Sequence, residues 1–274
     1  MLLRIQPDES LRSFVERNLF LQRHTHSVEI FGAPEFRYRR WGNKQVITIA
    51  KLLGWDNCYG FNKLLHSHTD YTVHGVFKAK DGHSYSANEF GLGFFCFDDF
   101  SKTRSYCPMC AKEDLCVRGY SYWRRNHPLV VVCAKHNVDL LSKCPFCGKP
   151  FSVHGHSLDV IWSGCAGRSL GDAKPRANED SEALHLAQFF VKLNLLQHHL
   201  SAETAFNVLK NKLTEIIEDD NFNLISKGRR ARLTFHYEDL RDPRAFRFFV
   251  DRSQVHQLLY LIASIYGNES PLIS

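Results

Sequence analysis

Apolar side chains return every three or four residues along several stretches of this chain, a spacing that predicts a mainly helical protein. The first such face is Leu11, Phe14, Val15 and Leu19. Asp8-Glu9-Ser10 precedes it, with Ser10 suited to cap the helix and the acids suited to its positive end. From Gln45 to about Leu65 two further faces follow, Ile49, Ala50 and Leu53, then Phe61, Leu64 and Leu65. Gly54 lies between them, where a left-handed residue ends a helix. Ala50 and Gly54 have the separation of a helix–turn–helix pair, but Gly60 stands where the second helix usually carries an apolar residue. Two readings stand: a pair that places its second helix in a DNA major groove, and a plain helical hairpin in a core. The last hundred residues carry three more stripes. They are Leu184, Ala187, Phe190, Val191 and Leu195, then Phe206, Leu209, Leu213, Ile216 and Ile217, then Val255, Leu258, Leu259, Ile262 and Ile265. They predict a helical bundle.

Other stretches break this rhythm. Tyr71-Thr72-Val73, Val76-Phe77 and Phe94-Phe95-Cys96-Phe97 predict strands or irregular chain, punctuated by Gly75, Gly82, Gly91 and Gly93. Residues 171–181 read as a polar linker. The organisation expected is an N-terminal helical, helix–turn–helix-like domain over 1–100, a small β zinc-ribbon module over 101–170, and a C-terminal helical domain over 171–274.

The bulk numbers agree with a folded protein of two or three small domains: 274 residues, 44% hydrophobic and 23% charged. No apolar run nears the length of a membrane span, and the first residues turn polar too soon for a signal peptide, so a cytoplasmic location is expected. Net charge is +6 at pH 7, which permits nucleic-acid contact without demanding it. Two basic clusters stand out, Arg37, Arg39, Arg40 and Lys44 around Tyr38 and Trp41, and Lys227, Arg229, Arg230 and Arg232. The first is a candidate nucleic-acid surface, because bases stack on aromatic rings while arginines pair with phosphates. Both also fit solvated loops.

The most specific chemistry lies in the middle. Cys107-Pro108-Met109-Cys110 is followed by Cys133-Ala134-Lys135-His136. Two ligands two residues apart make a metal knuckle, and two knuckles close a tetrahedral site that suits zinc and leaves no open position. A third knuckle, Cys144-Pro145-Phe146-Cys147-Gly148, has a partial counterpart in Cys165-Ala166-Gly167-Arg168, where Arg168 takes the place of a second cysteine. That leaves Cys144, Cys147 and Cys165, with two readings: a second zinc with His154 or His156 as fourth ligand, or a site decayed to a metal-free turn. Nine cysteines in this pattern fit metal better than disulfides. Trp123 is expected to pack over the metal ribbon.

Together Arg104-Ser105-Tyr106-Cys107-Pro108-Met109-Cys110, Tyr122-Trp123-Arg124, Val132-Cys133-Ala134-Lys135-His136, Leu140-Leu141 and Cys144-Pro145-Phe146-Cys147-Gly148 resemble the TniQ family, also called TniQ/TnsD. The opening Pro7-Asp8-Glu9-Ser10-Leu11-Arg12-Ser13-Phe14 is similar to that family's start, and the resemblance covers about residues 4–150. It implies a target selector for bacterial transposition that recruits a AAA+ ATPase regulator. Some members recognise a fixed DNA site. Others ride on a CRISPR RNA-guided effector such as Cascade, often as a homodimer, and leave sequence reading to base pairing. The chain lacks the long extra C-terminal portion of fixed-site selectors, which favours the adaptor type.

The expected function is therefore a non-enzymatic adaptor between a target-recognition element, Cascade or target DNA, and a AAA+ regulator. The alternative is a sequence-specific DNA-binding zinc protein, either a fixed-site selector or a transcription regulator. A metal hydrolase is a third class. His24 with His26, His66 with His68, and His154 with His156 offer ligand pairs, but there is no His-Glu-x-x-His, Walker loop or nucleophile elbow.

Overall fold

The computed structural model describes residues 3–21, 30–31, 33, 40–78, 96–98, 104–151, 165–196, 198–224, 227–241 and 255–266. The fold is mainly helical. Helix α1 (Leu11–Leu21) begins where the sequence places it, with the Ser10 hydroxyl accepting from the Ser13 amide at 3.2 Å. Strand β1 (Arg40–Gly42) leads into α2 (Asn43–Leu53), which Gly54 ends at φ 68°. Asn57 caps α3 (Cys58–His68), its side chain accepting from the Gly60 amide. Gly60 is required by packing: a β-carbon there would lie 2.8 Å from the Trp55 backbone. This close approach accounts for the missing apolar residue at that position. Leu11, Phe14, Val15, Val46, Ile49, Ala50, Phe61, Leu64 and Leu65 close one core.

Tyr71-Thr72-Val73, read as strand or irregular chain, instead forms one helical turn, α4 (Tyr71–His74). The Thr69 hydroxyl donates back to the Leu65 carbonyl and accepts from the Tyr71 amide, which turns the chain as α3 ends. Tyr71 then enters the first core while Val73 faces the second, so the two apolar residues need not share a sheet face. Two short pairings follow. Strand β2 (Phe77–Lys78) runs parallel to β4 (Leu200–Ser201), and β3 (Cys96–Asp98) runs antiparallel to β1. Arg37, Arg39, Phe94, Phe95, Gly82, Gly91 and Gly93 lie outside the described residues, as do His24, His26, His154 and His156.

Helix α5 (Pro108–Arg118) rises from the first metal knuckle. The supposed linker after it is not free chain. A 3₁₀ turn at Leu170–Asp172 lies against α5 so closely that a β-carbon on Gly171 would sit 2.9 Å from the Lys112 Cα. Beyond that turn, the Asp139 amide donates to the Arg176 carbonyl and the Asn178 amide to Asn137.

The C-terminal bundle comprises α6 (Ser181–Leu195), α7 (Ala202–Glu218), α8 (Lys227–Arg241) and α9 (Val255–Tyr266). Asp180 and Ser201 cap α6 and α7. Leu209, Leu213, Leu233, Leu240, Leu259 and Ile262 fill its core with Phe189, Phe190 and Leu193. The stripe read on α6 is turned. Ala187, Phe189, Phe190 and Leu193 are buried, whereas Val191 and Leu195 face outward. The second basic cluster, for which a solvated loop was one reading, falls in α8. Among the described residues no helix is long and apolar enough to cross a membrane.

The N-terminal segment is bound to the middle of the chain by buried polar contacts. Arg17 grips the Glu9 carboxylate through Nε and Nη2 at 2.9 and 2.8 Å, and both side chains are almost wholly buried. Ser13 donates to the same carboxylate and accepts from the Trp123 amide at 3.1 Å. The Ser10 amide donates to the Trp123 carbonyl and the Arg125 amide to Asp8. Removing one partner of such a pair strands a buried charge, at a cost of about 3–5 kcal/mol.

Candidate metal centre

Each knuckle is shaped by its backbone. Cys107 caps α5, and its sulfur accepts from the Cys110 amide at 3.4 Å. Pro108 takes the first helical position, where its missing N–H is no loss. The Cys133 knuckle turns through Asn137 at φ 51°, whose amide donates to the Cys133 carbonyl at 2.8 Å. The Cys144 knuckle repeats this geometry with Gly148 at φ 74°, again donating at 2.8 Å. Left-handed backbone favours glycine and tolerates asparagine, and these residues stand one after the last knuckle ligand in each case.

The result is a tetrahedral set. The His136 Nδ1 lies 3.5 Å from the Cys107 sulfur, 3.4 Å from Cys110 and 3.6 Å from Cys133, and the Cys110 and Cys133 sulfurs are 3.8 Å apart. An ion at about 2.3 Å from sulfur and about 2.0–2.1 Å from nitrogen spaces its tetrahedral ligands by about 3.8 Å (S···S) and about 3.6 Å (S···N). The fit is close on these four edges, and all four ligand atoms lie within 4.8 Å of one another. Hydrogen bonds to Cys107, then Cys133, hold the proton on the Cys110 thiol and push it above its ordinary range. Those donated by Cys107 and then Cys110 pull Cys133 below it. Without a cation, three sulfurs this close do not share several negative charges; a divalent ion removes that conflict. An ion held here would have all four of its positions filled by protein side chains.

Two residues that the sequence reading missed stand behind this set. The His136 Nε2 meets Glu113 Oε1 at 3.0 Å, and Lys135 Nζ meets Glu113 Oε2 at 2.5 Å. Hydrogen bonds from Lys135 and then His136 hold the Glu113 carboxyl below its usual range. The contact fixes the imidazole with its proton on Nε2 and its lone pair on Nδ1. Glu113 lies on α5, six positions after Cys107, and no spacing rule marks it. Glu113→Gln is expected to weaken metal affinity by about tenfold or more while the protein stays folded. Competition with a coloured chelator measures it, and unchanged affinity would remove Glu113 from the centre.

The second group is partial. Cys144, Cys147 and Cys165 bring their sulfurs within 4.8 Å of one another. Cys144 and Cys165 are buried and Cys147 is exposed. The Cys165-Ala166-Gly167-Arg168 turn keeps a tight form, with Ala166 and Gly167 left-handed and the Arg168 amide donating to the Cys165 carbonyl at 3.1 Å. Arg168 itself swings over the Phe146 ring, its guanidinium carbon 4.7 Å from the centroid. It serves as a packing residue in a ligand's place. Trp123 is 2% exposed and packs in one cluster with Tyr106, Ala111, Cys144, Phe151 and Leu170. It therefore joins the two knuckle regions, as its position in the sequence suggests.

The other predicted sites do not form metal clusters among the described residues. His66 and His68 are buried in the fold, where His66 Nδ1 meets the Leu196 carbonyl and His68 Nδ1 the Glu9 carbonyl. Of the first basic cluster, Arg40 lies on β1 and Lys44 is exposed in the first turn of α2. Helix α3 buries Phe61, Asn62, Leu64, Leu65, His66 and His68, and turns outward chiefly through Cys58, Tyr59 and Lys63. A helix that reads a major groove needs a longer exposed polar face than that. In comparisons with known proteins, no family model matches this chain and no curated protein does.

Proposed function

We propose that this chain is a zinc-organised target-selection adaptor of the TniQ type, which joins a target-recognition element to a AAA+ transposition regulator. The observation that carries the reading is the Cys107, Cys110, Cys133 and His136 tetrahedron, set among the residues that carry the resemblance. Zinc is the ion because three thiolates and an imidazole in a closed tetrahedron are its preferred structural set. The second group, Cys144, Cys147 and Cys165, offers three ligands to a further zinc, with a metal-free turn as the alternative; metal content of two or of one per chain decides between them. The adaptor needs no chemistry of its own: the closed centre rigidifies a module that presents surfaces to partners. Target recognition passes through a CRISPR effector such as Cascade or through target DNA, with a second copy of the chain as a further partner.

A specific observation bears on the alternative, a sequence-specific DNA-binding zinc protein. The shallow exposed face of α3 supports the adaptor over a reader of naked duplex. Reconstitution tests the proposal. The purified zinc-loaded chain is mixed with the AAA+ ATPase and any CRISPR effector encoded beside it, and separately with duplex DNA. A stable complex with the ATPase or effector and weak, salt-sensitive DNA binding are expected. Tight sequence-specific duplex binding with no protein complex would favour the alternative.

A further inference from the structure

The sulfurs of Cys144, Cys147 and Cys165 are gathered but not closed in. They lie within 4.8 Å of one another, and among the described residues no fourth ligand joins them. Arg168 takes the place of a fourth, and its guanidinium rests over the Phe146 ring instead. Cys144 and Cys165 are buried, while Cys147 stands exposed. The first group differs on each point: its tetrahedron is complete and its three sulfurs are all buried.

The backbone holds Cys144 and Cys147 as a pair. They sit at the two ends of one turn, in which the Gly148 amide donates to the Cys144 carbonyl at 2.8 Å and the Cys144 amide to the Lys149 carbonyl at 2.8 Å. A turn this tight keeps residues three apart within about 7 Å at Cα, close to the span of about 4.4–6.8 Å that a disulfide bridges. Two thiols at Cys-x-x-Cys spacing are also the arrangement of dithiol pairs that open and close as disulfides. Oxidation of a thiol follows its exposure, and a second thiol beside it captures the first product before further oxidation. Cys147 meets both conditions. Cys58 and Cys116 are exposed as well, but they belong to no such group among the described residues.

We propose that Cys147 and Cys144 form a reversible dithiol–disulfide site whose oxidant is a hydroperoxide. In the first step the Cys147 sulfur attacks the nearer peroxide oxygen. An S–O bond forms, the O–O bond breaks, and the leaving oxygen takes the thiol proton and departs as an alcohol, or as water from hydrogen peroxide. In the second step the Cys144 sulfur attacks the sulfenic sulfur of Cys147. An S–S bond forms, the S–O bond breaks, and the hydroxyl leaves as water with the Cys144 proton. Two thiols lose two electrons and the peroxide gains them. The bridge withdraws two of the three sulfurs from any metal, and an external dithiol restores them. The inference rests on the proximity and exposure of these thiols and is independent of the transposition reading. It requires that the group is metal-free or holds its ion loosely.

The test uses the full zinc-loaded chain with its metal counted. It is treated with hydrogen peroxide, alkylated at intervals and mapped by mass spectrometry. A bridge between Cys147 and Cys144 should form about tenfold or more faster than Cys58 and Cys116 are oxidised, and dithiothreitol should reverse it. Cys107, Cys110 and Cys133 should stay reduced, with one zinc retained. Cys147→Ser and Cys144→Ser should each abolish the bridge, whereas Cys165→Ser should keep it. Mapping of the unaltered chain decides the matter even where a variant does not fold. A bridge to Cys165, irreversible oxidation of Cys147 without a bridge, or oxidation of the first centre at the same rate would each overturn the proposal. Absence of a bridge would overturn it too: with two zincs per chain it would support a complete second metal site, and with one zinc it would leave a plain metal-free turn.

Discussion

Cys110→Ser is expected to unfold the centre of the protein. The serine hydroxyl is a poor zinc ligand, and the other three ligands cannot close the tetrahedron alone. Structural zinc contributes about 10–16 kcal/mol to small zinc-dependent folds, more than a typical domain has in reserve. The loss should spread beyond the knuckle, because α5 starts at Cys107 and carries the 3₁₀ turn at Leu170–Asp172 on its side. Metal content by mass spectrometry, with circular dichroism and limited proteolysis, reads the outcome. A folded variant without metal, or a folded wild-type protein without zinc, would dismiss the structural zinc.

The second large effect is acid sensitivity. His66 and His68 are 2% and 5% exposed, and burial, opposed by hydrogen bonds to backbone carbonyls, lowers each to about 4. The nearby Arg125 charge acts in the same direction as burial on both. In the unfolded chain each returns to about 6.5. The unfolded state therefore binds more protons between these values, and stability rises with pH across that window. The contribution is whole above about pH 6.5 and is lost as pH falls toward 4. The difference amounts to about 3 kcal/mol for each histidine. Zinc ligands also take up protons in acid, so the decisive comparison is with a His66→Gln/His68→Gln variant. Urea unfolding from pH 7.5 to 4.5 should give a shallower pH slope for the variant. Parallel curves would show that these histidines are not the acid-labile groups.

The metal centre was legible because its signal is local. Four ligands in two knuckles announce themselves by spacing, and the structure brings their atoms together on tetrahedral edges. Helices with one apolar face, α1, α2 and α7 among them, were legible for the same reason. Local pattern failed where the cause was tertiary. Tyr71 and Val73 reach separate cores, so alternation there meant a helical turn between two packing partners. The α6 stripe was read one face wide, yet this helix has apolar residues most of the way around and the bundle selects which of them to bury. Residues 171–178 look like linker by composition, but their backbone amides are claimed by Asn137 and Leu170 and their carbonyls by Asp139. Glu113 and Arg125 could not be found at all, since each acts on a partner distant in sequence and leaves no periodic trace.

The Glu9, Arg17, Ser13 and Trp123 contacts have a consequence for biosynthesis. A growing chain emerges N-terminus first, and domains generally fold as units as they appear. Here the hydroxyl at Ser13 and the backbone at Asp8 and Ser10 are completed by a segment more than a hundred residues downstream. That segment is itself positioned by knuckles on both sides. The first helix must therefore wait, with its ion pair only partly covered, until the ribosome has released the stretch beyond His136 and a metal ion has been captured. Contacts of such long sequence separation slow folding. In the zinc-bound protein proposed above, metal supply thereby becomes one of the events on which maturation of the amino-terminal part depends.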